Sequence, residues 1–396
     1  MTNQWEEMRA DEYCDDVRDG THDSPKQVSN GYKLLTSKHI GDGVLQIESA
    51  YFISEADYNQ INKRSKVNKN DVLISMIGTV GRVCRVADEP DFAIKNMGLF
   101  KVSDVLKSKY LYYYLRSRDA RDYISSTVAG STQKYISLGS LRAFPIRFPT
   151  DERVMRRLVY VLDALDCKIM LNNQINDYLA DLASMLYREF CTHASGQMGT
   201  LADLVELRKD STKAGKHPEL PYMPIDVIPM KSMGVSEFRP NDEAKSSLQL
   251  FQRDDIVIGA MRVYFHRVVL APCEGITRNT CFVLRPKTQL LREYALLTCF
   301  QPEAIEYANV RSKGSTMPYA VWENSFETYP VLIPNESELE EFSRRLSPVI
   351  DRLRDSYKTS VCLSEMRDAL LPKLMSGEID VSQIDLTQLN NHLDDC

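Results

Sequence analysis

The sequence predicts an α+β fold: two tandem, pseudo-repeated α/β domains separated by two long antiparallel helices that pair as a coiled coil. Three observations predict it. Landmarks recur in one order at a nearly constant lag, each copy mixes short β-type runs with helix, and each copy is followed by a long heptad-patterned segment.

The duplication comes first in the argument. Lys69-Asn70-Asp71-Val72-Leu73-Ile74-Ser75 is echoed by Arg253-Asp254-Asp255-Ile256-Val257-Ile258-Gly259 at a lag of 184. Gly130-Ser131-Thr132-Gln133-Lys134-Tyr135 is echoed by Gly314-Ser315-Thr316-Met317-Pro318-Tyr319 at the same lag. Phe144-Pro145 and Phe148-Pro149 return as Tyr329-Pro330 and Ile333-Pro334 at 185. A lag this long is too large for a solenoid repeat and means two copies of a whole domain with its trailing segment.

Within the first copy, β-type runs at 72–77 and 82–86 flank Gly78-Thr79-Val80-Gly81, a glycine-bracketed turn. In the second, runs at 255–258 and 267–270 flank a different loop, Gly259 to His266. A helix is expected in each, near Ser108 to Ser117 and near Leu290 to Phe300, before a β-like run into proline punctuation.

The long segments follow. Val154, Leu158, Val161, Leu165, Ile175, Leu179, Leu182 and Leu186 form a heptad seam interrupted by Lys168 and Asn172. Leu339, Phe342, Leu346, Ile350, Leu353 and Tyr357 form another, which resumes at Leu363, Met366, Leu370 and Leu374 after Ser360 and Ser364. About 40 residues at 1.5 Å rise give a helix of roughly 60 Å. Pro372 is expected to kink or end the second. Seams of this length need a partner, and the economical one is the other long helix. The resulting division is 1–150, first domain; 151–195, first long helix; 196–334, second domain; 335–396, second long helix and tail.

Composition excludes several classes. Apolar residues are 43% and charged residues 26%, which fits a globular chain and neither a collagen-like nor a disordered one. The sequence has no apolar run of transmembrane length and no signal-peptide layout at its start, so a cytoplasmic location is expected. The nine cysteines make no CxxC pair and are expected as reduced thiols, and neither they nor the six histidines show metal-ligand spacing. No P-loop, dinucleotide fingerprint, nucleophile elbow or zincin helix occurs, nor the Asn/Asp-Pro-Pro-Tyr/Phe run of an amino-methyltransferase. Glu243-Ala244-Lys245 reads as a charged turn, and Asp254-Asp255 and Asp15-Asp16 as solvated acids at strand starts or turns. No catalytic residue is expected.

Net charge is −6, yet residues 28–150 carry +7 while 335–396 carry −6. A basic block can hold phosphate within an acidic chain because screening keeps the field local. The side chains suited to base and phosphate contacts in the first domain are Lys38, Thr79, Arg82, Lys95, Asn96, Ser131, Gln133 and Lys134. In the second they are Arg262, Tyr264, Arg267, Arg278, Asn279, Lys313, Ser315 and Thr316. Both copies keep the Gly-Ser-Thr element, although a shared turn geometry would also explain it. Tyr135 and Tyr319 are expected in the core. Asp19-Gly20-Thr21-His22-Asp23-Ser24-Pro25 reads as an ordered turn, with His22 stabilising it by a hydrogen bond.

The sequence resembles a specificity subunit of a type I restriction-modification system, over nearly its whole length. The resemblance is carried by Asp19-Gly20-Thr21-His22 with Pro25, Gly31 and Leu34-Leu35-Thr36-Ser37-Lys38. It continues in Leu165-Asp166-Cys167-Lys168-Ile169, Leu171-Asn172-Asn173-Gln174-Ile175-Asn176, Leu179, Ala183 and Leu186-Tyr187. It closes on Met366-Arg367-Asp368-Ala369-Leu370-Leu371-Pro372-Lys373-Leu374-Met375-Ser376-Gly377-Glu378-Ile379. The second domain diverges most and lacks the GxxG turn. The resemblance implies two target recognition domains, each reading one half of a bipartite site on double-stranded DNA, with helices that set the spacer and dock two modification (methyltransferase) subunits. It implies S-adenosylmethionine on those partners, and ATP and magnesium on restriction subunits, with no cofactor on this chain. Two other classes stay open on the residues alone: a self-sufficient methyltransferase or nuclease with degenerate motifs, and a helical scaffold that binds no DNA.

Overall fold

The computed structural model describes residues 5–381, apart from 42, 131–133 and 236. The fold is mixed α and β, and the chain divides into two compact units. The first is built from residues up to Asp166 and residues from Met366 on; the second is Cys167–Glu365. The units therefore do not follow the sequence division at 150, 195 and 334, because each draws its core partly from both long helices.

The first unit contains β1 (Trp5–Arg9), α1 (Ala10–Tyr13), β2 (Asp16–Asp19), β3 (Tyr32–Thr36), β4 (Tyr51–Ile53) and α2 (Glu55–Ser65). Then come β5 (Val72–Ser75), β6 (Val83–Arg85), β7 (Phe92–Lys95), β8 (Met97–Lys101), α3 (Val105–Leu115), α4 (Arg118–Thr127), α5 (Leu138–Arg142) and β9 (Pro145–Pro149). The first long helix, α6, spans Glu152–His193. The second unit continues with β10 (Gly196–Thr200), α7 (Leu201–Leu204), β11 (Val205–Arg208), β12 (Ser211–Thr212), β13 (Leu248–Phe251) and β14 (Ile256–Gly259). It is completed by β15 (Val268–Leu270), β16 (Gly275–Arg278), β17 (Cys281–Pro286), α8 (Arg292–Phe300), α9 (Pro302–Val310) and β18 (Pro330–Pro334). The second long helix, α10, spans Glu336–Met375.

The sheets repeat the duplication. A four-stranded sheet β2-β8-β5-β6 in the first unit is matched by β11-β17-β14-β15 in the second. A three-stranded sheet β4-β3-β7 is matched in strand number by β12-β13-β16, and the pair β1-β9 by β10-β18. Even single bridges recur at the sequence lag: Ile77 with Tyr135 and Ala129 with Tyr135, then Met261 with Tyr319 and Lys313 with Tyr319. Tyr110 on α3 donates to Arg147 O at 2.6 Å, and its counterpart Tyr294 on α8 donates to Leu332 O at 2.8 Å.

A buried carboxylate sits at the head of each central strand. Asp71 accepts the Asn68 N–H at 2.8 Å and Lys101 Nζ at 3.0 Å. Asp255 accepts the Gln252 N–H at 2.7 Å and a two-pronged bond from Arg285 at 2.7 and 2.8 Å. The residue before each is left-handed, Asn70 at φ 72° and Asp254 at φ 69°. Burial pushes the Asp71 carboxyl up from the usual carboxylate range, while its hydrogen bonds pull the other way. Asp255 is 1% exposed, so it is not the solvated acid that its position suggested. A strand start next to a basic partner on the adjacent strand can bury its acid, and sequence position alone does not show the partner.

The long helices dock through ions as well as apolar seams. In the first unit Val154, Leu158 and Leu162 of α6 share a core with Leu371, Leu374 and Met375 of α10. Tyr113 donates to Asp163 and Asp166, both at 3.0 Å, and Arg367 donates to Asp166 at 2.7 Å. In the second unit Ala183 and Tyr187 join Leu339, Phe342, Leu346 and Ile350, and the rings of Phe190 and Phe342 lie 4.4 Å apart. Arg292 on α8 bonds Asp351 on α10 at 3.1 Å. The buried line of α6 runs one residue beyond the predicted seam in its second half. Asn176 and Ala183 are buried where Ile175 and Leu182 were expected, because small and polar residues were passed over for larger apolar neighbours. On α10, Arg367 is buried and Met366 exposed. Pro372 does not end α10, which continues to Met375 and closes at Gly377, φ 77°.

Cys14, Cys84, Cys191, Cys273, Cys281, Cys299 and Cys362 are free thiols. Among the described residues no helix is long and apolar enough to cross a membrane.

Two predictions follow from burial. Replacing Asp255 with Ala leaves Arg285 without its partner and should lower stability by about 3 kcal/mol or more in urea unfolding. The second concerns His39 and His266, both buried. His39 Nδ1 accepts the Thr36 N–H at 2.8 Å and His266 Nε2 lies 2.9 Å from Phe300 O. Burial lowers both side-chain pKa values from the ordinary one of 6.5. The unfolded chain therefore binds protons first, so stability held at neutral pH should be lost as pH falls through about 6.5 and below. Unfolding midpoints at pH 7.5 and 5.5 measure this, and His39→Asn should flatten the dependence.

Candidate functional site

In the first unit the site is assembled where five chain segments meet at the end of β5. Gly78 and Gly81 adopt φ of 78° and 93°, a left-handed backbone that favours glycine. The buried Ser75 hydroxyl closes the loop between them, donating to Thr79 O at 2.5 Å and accepting the Arg82 N–H at 2.9 Å. Ser37 joins two further segments: its hydroxyl donates to Asn96 O at 2.7 Å and accepts the Met76 N–H at 3.3 Å. The Gly78 N–H donates to Lys134 O at 3.1 Å. Thr21 bridges Lys95, and a Cβ on Gly20 would lie 2.5 Å from Ile94 O, so only glycine permits this approach.

Lys38, Thr79, Arg82, Lys95, Asn96 and Lys134 are thus carried on neighbouring segments. Lys38, Thr79, Arg82 and Lys134 are exposed. Arg82 also donates to Ile40 O at 3.3 Å, and Lys95 bonds Ser24. Asn96 is left-handed at φ 54° and bonds His22 at 2.8 Å, while His22 also meets Asp19 at 3.1 Å. His22 therefore ties the turn to the Asn96 corner. Ser131 and Gln133 lie outside the described residues.

In the second unit the loop after β14 is longer and has no glycine pair. Arg262 and His266 take φ of 48° and 53° around a short turn, Val263–Phe265. The Arg262 N–H donates to Pro318 O at 2.7 Å, the Ala320 N–H to Ala260 O at 2.8 Å, and the Ala260 N–H to Thr280 O at 2.8 Å. These bonds bring Arg262 beside the 313–319 loop, with Arg278 and Asn279 adjoining through Thr280. Tyr264, Arg278, Asn279, Lys313, Ser315 and Thr316 are exposed. Arg267 turns inward: it donates to Ile225 O at 2.9 Å, Asp226 O at 3.2 Å and Ile228 O. Burial lowers its pKa from the ordinary value. Its geometry is that of a loop brace.

Electrostatically the two loop clusters are open. Among the described residues Lys38, Arg82, Lys134, Arg262, Arg278 and Lys313 form no ion pair, whereas Arg285, Arg292 and Arg354 deeper in the fold are all paired. Unpaired cations, exposed backbone N–H groups and small hydroxyls can donate to polyanion oxygens. Sequence reasoning misplaced two residues here. Tyr135 and Tyr319 are each 47% exposed, not core. Each ends the Gly-Ser-Thr element on an isolated bridge, so its backbone is fixed while its ring is left outside. Their recurrence at the same lag was the available signal.

Comparison with known proteins agrees across sequence and fold. The family described as "Type I restriction modification DNA specificity domain" matches residues 3–180. The chain is 22% identical over 347 residues to the type I restriction enzyme MjaIX specificity subunit of Methanocaldococcus jannaschii, covering 80% of this chain and 79% of that one. It is 29% identical over 134 residues to a putative type I specificity subunit of Mycoplasma pneumoniae, covering 32% of this chain and 35% of that one. The fold is similar to that of the type I restriction-modification S subunit from M. genitalium, with a TM-score of 0.57 at 16% identity, covering 94% of this chain and 96% of that one. Residues 3–180 thus match the specificity-domain family, and the chain as a whole is similar in sequence and in fold to type I restriction-modification specificity subunits.

Proposed function

We propose that this chain is the DNA-reading subunit of a type I restriction-modification complex, in which residues 1–150 and 196–334 each read one half of a bipartite site. The match of residues 3–180 to the specificity-domain family and the similarity to type I specificity subunits support the sequence-recognition role, with catalysis left to partner subunits. The observation that carries the two-part reading is the repeated loop cluster, held on matched sheets but differing in sequence and length after β5 and β14. A shared frame presents each cluster alike, while different loops give each its own target. Lys38, Thr79, Arg82, Lys95, Asn96, Ser131, Gln133 and Lys134 contact the first half-site. Arg262, Tyr264, Arg278, Asn279, Lys313, Ser315 and Thr316 contact the second, with Arg267 bracing the loop beneath them.

Residues 151–195 and 335–396 form the spacer, an antiparallel coiled coil that sets the unread gap and docks two modification subunits. Support comes from each unit separately: the start of α6 packs with the end of α10 in the first, and the end of α6 with the start of α10 in the second. S-adenosylmethionine belongs to the modification subunits, and ATP and magnesium to the restriction subunits, in a cytoplasmic complex.

The deciding experiment is methylome sequencing of a methylation-free host expressing the modification subunit with and without this chain. Adenine methylation at a two-part motif with a fixed gap should appear only with the chain; methylation unchanged by its presence would overturn the proposal. Lys134→Ala should weaken binding of all DNA sequences and reduce the slope of log affinity against log salt by about one, read in titrations from 50 to 200 mM salt. A one-turn insertion in both α6 and α10 should lengthen the gap and leave the half-sites unchanged.

A further inference from the structure

Tyr135 and Tyr319 occupy equivalent positions, and neither has a packing reason to be aromatic. Each is 47% exposed, and among the described residues neither hydroxyl makes a hydrogen bond and neither ring meets another ring. The tyrosines that serve the fold behave differently. Tyr110, Tyr113, Tyr187 and Tyr294 are buried and bond through their hydroxyls to Arg147 O, Asp163, Thr298 and Leu332 O.

The backbone of both exposed tyrosines is fixed. Tyr135 and Ala129 exchange both backbone hydrogen bonds at 2.9 Å, and so do Tyr319 and Lys313. Each tyrosine also bridges the loop that follows the central strand, at Ile77 and at Met261. Lys134 precedes the first in sequence, and Lys313 pairs with the second through the backbone, so each tyrosine belongs to a loop that carries a lysine. A rigid backbone carrying a half-exposed ring whose hydroxyl is left to donate, in a loop with a lysine, is arranged to meet an anionic oxygen.

The two copies also indicate which part of DNA is met. Their loops differ, Gly78 to Gly81 in one and Gly259 to His266 in the other, as reading two different half-sites requires. A group kept in both copies on the same bridge meets what both half-sites share, which is the sugar-phosphate backbone. We infer that Tyr135 and Tyr319 are paired phosphate clamps, one in each unit, whose hydroxyls donate to phosphate oxygens of bound DNA. This rests on the DNA-reading role proposed above.

The test uses the full chain assembled with its modification subunits and titrates two duplexes, one carrying the methylated motif and one lacking it, at several salt concentrations. Tyr135→Ala and Tyr319→Ala should each weaken both duplexes about tenfold, in line with loss of a hydrogen bond to a charged group. Because tyrosine is neutral and displaces no counterion, the salt slope should stay that of wild type. Tyr135→Phe and Tyr319→Phe keep the ring and should lose most of the same factor. Wild-type affinity in the Phe variants overturns the inference, also where an alanine variant fails to fold. An altered methylation motif overturns it too, since that would make the tyrosines base readers. If the wild-type assembly binds neither duplex, the DNA-reading role itself fails and takes the clamps with it. If wild type binds and the variants match it, only the clamps fail.

Discussion

A buried carboxylate at the start of each central strand is the constraint on which the two units depend. Asp71 and Asp255 each bond the chain three residues back and a basic side chain on the neighbouring strand, Lys101 or Arg285. Those bonds fix the left-handed residue before the strand and the pairing of β5 with β8 or β14 with β17. A carboxylate taken out of water needs all of these partners, so the register of the sheet cannot slip without losing several at once. Where the strand emerges at its other end, its loop is aimed by a frame settled four residues earlier.

The loop clusters inherit that rigidity through hydroxyls and backbone amides. Ser75 and Ser37 make their hydrogen bonds to the chain itself, and among the described residues the neighbouring Lys38, Arg82 and Lys134 side chains form no ion pair. In the second unit the same position is filled by a longer loop, braced by Arg267 on three carbonyls. The division of labour is physical: Ser37, Ser75 and Arg267 hold the loops through hydrogen bonds to the chain, and the exposed groups beside them are cationic or hydroxylated.

Much of this was legible in the sequence, because duplication repeats any signal. The lag of 184 located the matched strands, the helices α3 and α8, and the loops that carry the candidate contacts. What failed did so for local reasons. Asp255 looked solvated because its partner Arg285 is 30 residues away in sequence. Ile175 and Leu182 looked buried because seam reading favours large apolar residues, yet the inner line of α6 uses Asn172, Asn176 and Ala183. Tyr135 and Tyr319 looked like core because aromatic residues next to strands usually are. Arg267 could not be told from Arg262 by residue type, since only the carbonyls of residues 225, 226 and 228 distinguish a brace from a free cation.

The first unit closes its core with Leu371, Leu374, Met375 and Val381, more than 200 residues after Leu162 on the same core. The second unit is a single continuous stretch, Cys167–Glu365. During synthesis from the N-terminus the order of completion is therefore reversed. The later unit has all its residues first, while the earlier one waits with an apolar face uncovered until the end of α10 has been made. The N-terminal half is thus the part of the nascent chain most exposed to misassociation, and a chain cut short before residue 366 would leave that half unfinished.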